Sequence, residues 1–187
     1  MANVAANTRF GIKEVADVSF YKFENGVAST TASLTFDTLK VSNLEFTAEE
    51  AFARGGKGNP KLITWDYNRE ATLTLQDALL SMQTLAAIFG DADSSSATSV
   101  EIGADTYPGY YKVTGWTYAK TTDGENKYFK FEIPKAKISS NVTLTMEAEG
   151  DPTVFDITLT VLQNITGTGA SATKDPLVKL ELADNNS

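Results

Sequence analysis

The chain has 187 residues, with 16 Lys and Arg against 24 Asp and Glu, a formal charge of −8 and a pI near 4.6. That balance argues against a surface built to grip DNA, because duplex affinity comes from basic side chains that neutralise phosphates. Cysteine and histidine are both absent, which excludes disulfides, thiolate nucleophiles, Cys- or His-ligated metals and Ser-His-Asp or Cys-His catalysis. Carboxylate-pair hydrolysis and lysine chemistry survive the exclusion.

The remaining composition, 42% hydrophobic and 21% charged, is that of an ordinary globular protein, and the length suits one domain. The start, Met1 to Arg9, has neither a basic cluster nor an apolar run, so no signal peptide is expected there. No stretch reaches the roughly 20 apolar residues of a membrane span. Synthesis in the cytoplasm is therefore expected, and the sequons at Asn141 and Asn164 are read as chance.

Threonine occurs 24 times, alongside many Val, Ile, Tyr and Phe. These residues suit a pleated, half-buried surface, so the chain leans to β structure. In chain order, short strands are predicted at Val18–Phe23, Leu34–Phe36 and Leu44–Thr47. Leu62 to Leu75 reads as one long strand. Ile63, Trp65, Tyr67, Ala71, Leu73 and Leu75 share one parity, and a bulge is expected near Asn68-Arg69.

Met82, Leu85, Ala86 and Phe89 fall at helical spacing and predict one amphipathic helix lying over a sheet. Ser81, or earlier Asp77, is its N-cap candidate, and Gly90 its left-handed terminator. Asp91 to Ser96 is a polar loop that lacks the glycine and glutamate of a calcium loop. Further strands are predicted near Thr98–Ile102, Gly109–Tyr118, Tyr128–Ile133, Val142–Ala148, Val154–Leu162 and Leu177–Leu182. Asp123-Gly124 and Gly150-Asp151-Pro152 are the turn signals between them. A polar linker near 166–176 precedes the last strand.

Two constellations bear on chemistry. Gly55-Gly56-Lys57-Gly58-Asn59-Pro60 is glycine-rich, but its lysine is not followed by Ser or Thr, and a strand rather than a helix comes next. It reads as a loop joining two strands, not a phosphate cradle. Among the acids Asp66, Glu70, Glu147, Glu149, Asp151 and Asp156, Glu147 and Glu149 share a strand face beside a turn. A glycosidase would need two carboxylates across a cleft. Trp65, Trp116, Tyr110 and Tyr111 could form a sugar platform, but such residues more often fill cores or interfaces. No catalytic residue and no metal ligand is assigned, and no cofactor is expected.

Three segments carry a resemblance to a known family. They are Ala53–Pro60 running into Leu62–Asn68; Ala71–Ser81 followed by Leu85–Gly90; and Phe131–Ile138 followed by Glu149–Asp156. In this order they resemble the major tail-tube proteins of long-tailed bacteriophages. The resemblance implies a mainly β chain: an antiparallel β-sandwich with one flanking helix, whose inner strands close into a β-barrel ring on oligomerisation. It implies a single tail-tube domain over residues 1–187 with a flexible N-terminal arm. It implies a structural virion protein, not an enzyme, that self-assembles into stacked hexameric rings and conducts viral DNA to the host.

The partners implied are the chain itself, then tape-measure, tail-terminator and baseplate or tail-tip proteins, and a sheath if the tail contracts. DNA would pass without specific binding, no membrane would be engaged, and the location would be the virion tail, assembled in the host cytoplasm. In that family a long loop between early strands contacts the next ring. The matching positions are Arg54, Gly55, Gly56, Lys57, Gly58, Asn59 and Pro60. An acidic bore is expected, since it would repel phosphate. Two alternatives are a tube subunit of a contractile secretion or pyocin-like machine and a carbohydrate-binding β-sandwich.

Overall fold

The computed structural model describes residues 9–14, 17–77, 79, 81–90, 98–139, 155–167 and 172–184. The strands are β1 Phe10–Ile12, β2 Asp17–Glu24, β3 Val27–Ala28, β4 Leu34–Phe36, β5 Leu39–Arg54 and β6 Lys61–Asp77, followed by the helix α1 Met82–Phe89. Then come β7 Tyr110–Thr121, β8 Asn126–Ile138, β9 Phe155–Val161, β10 Ile165–Thr166, β11 Thr173–Lys174 and β12 Lys179–Ala183. The described residues are mainly β, as the composition predicts, with one short helix where the helical spacing predicts it. The expectations for Val142–Ala148 and the Gly150 turn fall outside the described residues, as do those for the loop after Gly90 and residues 1–8.

Ten strands form one sheet, in the order β3-β2-β7-β8-β9-β6-β5, with β1, β4 and β12 added beside β7, β2 and β8. Every pairing is antiparallel. The sheet turns a corner along β8. β8 pairs with β7 from Asn126 to Lys137 and with β12 from Tyr128 to Glu132, whereas only Ala136, Lys137 and Ile138 pair with β9. Between these parts β8 carries an extra residue against β7, around Pro134-Lys135. A bulge there removes the ladder bond that proline cannot make and bends the strand.

The bend lets the two halves of the sheet face each other as a sandwich. Val18, Phe20, Tyr111, Val113, Phe131 and Ile133 from one half meet Ala71, Leu73, Leu75, Ile157, Leu159 and Val161 from the other in a single core. β9 illustrates the pattern, with Phe155, Ile157, Leu159 and Val161 buried and the residues between them outside. Among the described residues the strands form no closed barrel.

The predicted strand at Thr98–Ile102 is not a strand. Only Val100 and Ile102 alternate there, Gly103 ends the run, and Ile102 is exposed. The helix lies where expected. Ser81 is extended, and its Oγ accepts the Thr84 N–H at 3.0 Å, whereas Asp77 instead ends β6, with its carboxylate accepting the Thr38 hydroxyl at 2.6 Å. Gly90 closes the helix with φ 84°, and its N–H donates to the Ala86 carbonyl. The buried stripe is shifted from the expected one: Thr84, Ala86 and Ile88 are buried while Met82 is exposed. The cap fixes where the helix starts, and the sheet below then selects which side it covers.

Glycine is required at Gly115 in mid-β7, where a Cβ would lie 2.3 Å from the Phe131 ring and 3.0 Å from the Asp17 carbonyl. Gly115→Ala is expected to destabilise the fold by about 1–3 kcal/mol, read as a Tm lower by several degrees. An unchanged Tm would refute the packing account.

Asp17, opposite Trp116 on β7, has its carboxyl pKa raised above the ordinary 3.8, first by partial burial and then by Asp37 and Glu14. The folded state therefore holds this proton more tightly than the unfolded chain, and stability is lost as pH rises from 3.8 through the raised value. Asp17→Asn should raise Tm at pH 7, and the gain should vanish below about pH 3.

Candidate assembly site: an exposed hairpin and an open sheet edge

β5 and β6 pair along their whole length, but only part of this hairpin belongs to the sandwich. From Ala71 to Asp77, β6 alternates buried and half-buried positions, whereas from Lys61 to Glu70 all ten are exposed. Ten residues at about 3.3 Å each make an arm of about 33 Å. It is a two-stranded ribbon with both faces in solvent.

The arm begins at a bulge in the place the sequence predicts. Thr47 pairs with Glu70, and Glu49 pairs with Tyr67, so Asn68 and Arg69 oppose Ala48 alone. Asn68 takes φ 48°, in the left-handed region that Asn tolerates better than most residues. Its Nδ2 donates to Glu49 Oε2 at 3.2 Å.

The bulge has a consequence that parity alone does not reveal. Directly opposed residues share a face, and β5 runs through this point without an extra residue. Phe46 lies opposite Ala71 on the core side. Glu49, Ala51 and Ala53, opposite Tyr67, Trp65 and Ile63, lie on the other side. Ile63, Trp65 and Tyr67 therefore do not continue the buried face of Leu73 and Leu75. They form an outward row, 52%, 53% and 46% exposed.

The tip is the loop Gly55–Pro60, with positive φ at Gly56, Gly58 and Asn59. The Asn59 N–H donates to the Gly56 carbonyl at 3.1 Å, and the Gly55 N–H to the Pro60 carbonyl at 3.3 Å. Lys61 Nζ sits 3.4 Å from the centre of the Phe52 ring, and the Arg54 guanidinium 5.8 Å from it. The glycines thus serve a hairpin turn at the end of a ribbon, as expected of a connecting loop. Arg54, Lys57 and Lys61 give the tip a positive charge.

Three further surfaces surround the arm. First, β5 ends the strand order, and among the described residues it pairs only with β6. Its outer edge leaves backbone donors and acceptors available to another strand. Second, an apolar cleft of about 480 Å³ opens beside that edge, lined by Ile12, Val41, Leu44, Phe46, Phe129 and Leu180 among others. Third, the outer face of β5, β6 and β9 is a polar wall. Its cross-strand rows are Glu45-Thr72-Thr160, Asn43-Thr74-Thr158 and Val41-Gln76-Asp156, and Lys137 of β8 stands opposite Thr160 at the end of the first.

The candidate residues for chemistry are dispersed. Asp66 faces Glu50 and Glu70 faces Thr47 on the arm, while Asp156 accepts a hydrogen bond from Gln76 at 2.9 Å. Glu147, Glu149 and Asp151 lie outside the described residues. Among the described residues no cluster of three acidic side chains is placed to hold a metal. Tyr111 is in the core, and Trp65 is on the arm. Trp116 meets Tyr118 and Tyr128 edge-on on the outer face of β7 and β8, at 5.4 and 5.6 Å.

Sequence reasoning missed the free edge, the reversed arm face and this outer face of β7 and β8. The signal for the last was present: Lys112, Lys120, Lys130, Lys135 and Lys137 interleave with Tyr110, Trp116, Tyr118 and Tyr128.

These features define a strand-rich sandwich with an open edge and a projecting ribbon. The chain belongs to the YomU/Tube protein family, which matches residues 10–92 and 92–173. The match bears out the tube-protein resemblance read from the sequence, and membership makes the chain a structural tube protein. Among solved structures, it is similar to a chain from the "Cryo-EM structure of the anti-feeding prophage (AFP) baseplate, 6-fold symmetrised". The identity is 12% and the TM-score 0.46, over 97% of each chain. No curated protein matches the chain.

Asn68→Val would place a β-branched residue in the left-handed region, at a cost of about 1–2 kcal/mol. Amide exchange in residues 61–70 should rise roughly 5- to 30-fold, with β9 unaffected. Equal exchange in both proteins would exclude the bulge as the anchor of the arm.

Proposed function

We propose that the protein is a tail-tube subunit, with no catalytic activity, whose copies form stacked hexameric rings around a conduit for viral DNA. The observation that carries this reading is the free edge of β5, extended by an exposed ribbon. A strand edge of this length invites pairing with another chain, and closing the sheet across copies removes every edge at once. Family membership supports the same reading.

The wall of β5, β6 and β9 is the face we assign to the bore. Its rows are mainly hydroxyls, amides and acids, with Lys137 the one cation, at the corner of the sheet, so little on this face would retain phosphate. The bore is thus weakly acidic, and its action is geometric and electrostatic. Arg54–Pro60, at the far end of the arm, contact the adjacent ring. The whole chain acts as one tail-tube domain, and its further partners are the tape-measure, tail-terminator and baseplate or tail-tip proteins of the virion, with a sheath where the tail contracts. A tube of a contractile secretion or pyocin-like machine would use the same geometry without a genome inside.

Negative-stain microscopy of the concentrated protein is expected to reveal rings or tubes with an axial hole. Tubes should become rarer when Gly55 to Pro60 are replaced by alanine. Dispersed monomers that bind glycans through Trp116, Tyr118 and Tyr128 would overturn the proposal.

A further inference from the structure

The outer face of β7, β8 and β12 is unlike the rest of this acidic chain. By the antiparallel registers, Lys112, Trp116, Tyr118 and Lys120 of β7 share this face with Tyr128, Lys130 and Glu132 of β8 and with Lys179 and Glu181 of β12. Tyr110, Lys135 and Lys137 extend it to the corner of β8. Lys135 Nζ lies 4.7 Å from the centre of the Tyr110 ring, and Lys137 Nζ 5.9 Å from it. Of the acids on it, Glu132 pairs with Lys112 at 2.7 Å and Glu181 with Lys179 at 3.0 Å, and Asp17 of the adjoining β2 lies opposite Trp116. Among the described residues Lys120, Lys135 and Lys137 form no ion pair, so the face carries surplus positive charge.

The stem of the arm is its complement. Glu49 and Glu70 flank the exposed row of Ile63, Trp65 and Tyr67, and Glu50 and Asp66 lie on the reverse side. Against these four acids stands Arg69. Glu50, Asp66 and Glu70 form no ion pair among the described residues. Both surfaces thus combine exposed aromatic rings with opposite charge, and both are parts of the same chain. A depression of about 330 Å³ bounded by Trp116, Lys130 and Glu181 is large enough for one large aromatic side chain, the kind of anchor that dominates interface energy.

Resting on the tube reading above, we propose that the lysine- and aromatic-bearing face of β7, β8 and β12 receives the stem of a neighbouring copy's β5–β6 hairpin. The occupant is a second copy of this chain. The face of the ribbon with Ile63, Trp65 and Tyr67 packs on the aromatic rings, and Glu49 and Glu70 meet the surplus lysines. The two patches are different surfaces, so the contact is heterologous and repeats from copy to copy, as a ring or stack requires. Charge steers the register and the aromatic contact supplies the burial.

The test uses two charge reversals in the full chain, Glu49→Lys with Glu70→Lys and, separately, Lys135→Glu with Lys137→Glu. Each variant alone sets like charge against like, and each is expected to remain dispersed under conditions where the wild type forms tubes. Their circular dichroism and Tm should remain close to wild type. Mixed in equal amounts, the variants should assemble, because in an alternating array every stem meets a face of opposite charge. Raising the salt should weaken assembly of the wild type and relieve the block in each variant.

Tubes from either variant alone at wild-type yield would overturn the pairing, and so would folded variants that fail to assemble when mixed. A wild type that forms no rings or tubes would defeat the tube reading itself, which separates the two failures. Trp65→Ala provides a second measure: tube yield should fall at least tenfold with Tm unchanged, and full yield would remove Trp65 as the anchor.

Discussion

The structure depends on backbone hydrogen bonding that the described residues satisfy on one side of β5 only. β5 is sixteen residues long and is held along its length by β6. Among the described residues its other edge is the end of the sheet. In water such an edge is tolerable, but it is also the most adhesive feature a β protein can carry. Charged side chains along it, Lys40, Glu45, Glu49 and Glu50, limit indiscriminate pairing. The neighbouring apolar cleft gives a correctly placed strand something to bury. Specific joining is thereby favoured over aggregation without sealing the edge.

The core makes this arrangement affordable. Phe20, Leu73, Leu75, Ile133, Ile157 and Leu159 are fully buried, and they come from both halves of the folded sheet. Removal of several such side chains from water offsets the conformational entropy of ordering the strands. The sandwich can then present a ribbon that buries almost nothing of its own. A lone two-stranded ribbon is marginal in water, so the arm relies on the rigid half of β6 for its position and on a neighbour for its burial.

Much of this was legible in the residues. The alternation of Phe155 to Val161, the Asp123-Gly124 turn, the Ser81 and Gly90 caps and the bulge near Asn68 are local signals, and each is set by chemistry within a few positions. β5 was visible only at Leu44–Thr47, because farther on both faces are exposed and no alternation of burial marks the strand. The face on which Trp65 stands was not legible, since it depends on the count of residues in a partner strand. The helix stripe was displaced because the sheet beneath it, not the helix, decides which side is covered. The charged face of β7 and β8 exists only after distant strands are brought into register.

The irregularity at Asn68 also separates two design problems that a continuous strand would tie together. With unbroken alternation, any change of phase in the sandwich would invert the residues displayed by the projecting ribbon, and recognition would be hostage to packing. One extra residue in β6 between Tyr67 and Glu70, set against Ala48 of the opposing strand, uncouples them. The interior can be tuned on one side of that joint and the display on the other, so lineages sharing this scaffold have a simple route to new neighbours: altering the outer segment, or losing the additional residue, presents a different surface while the interior remains as it was.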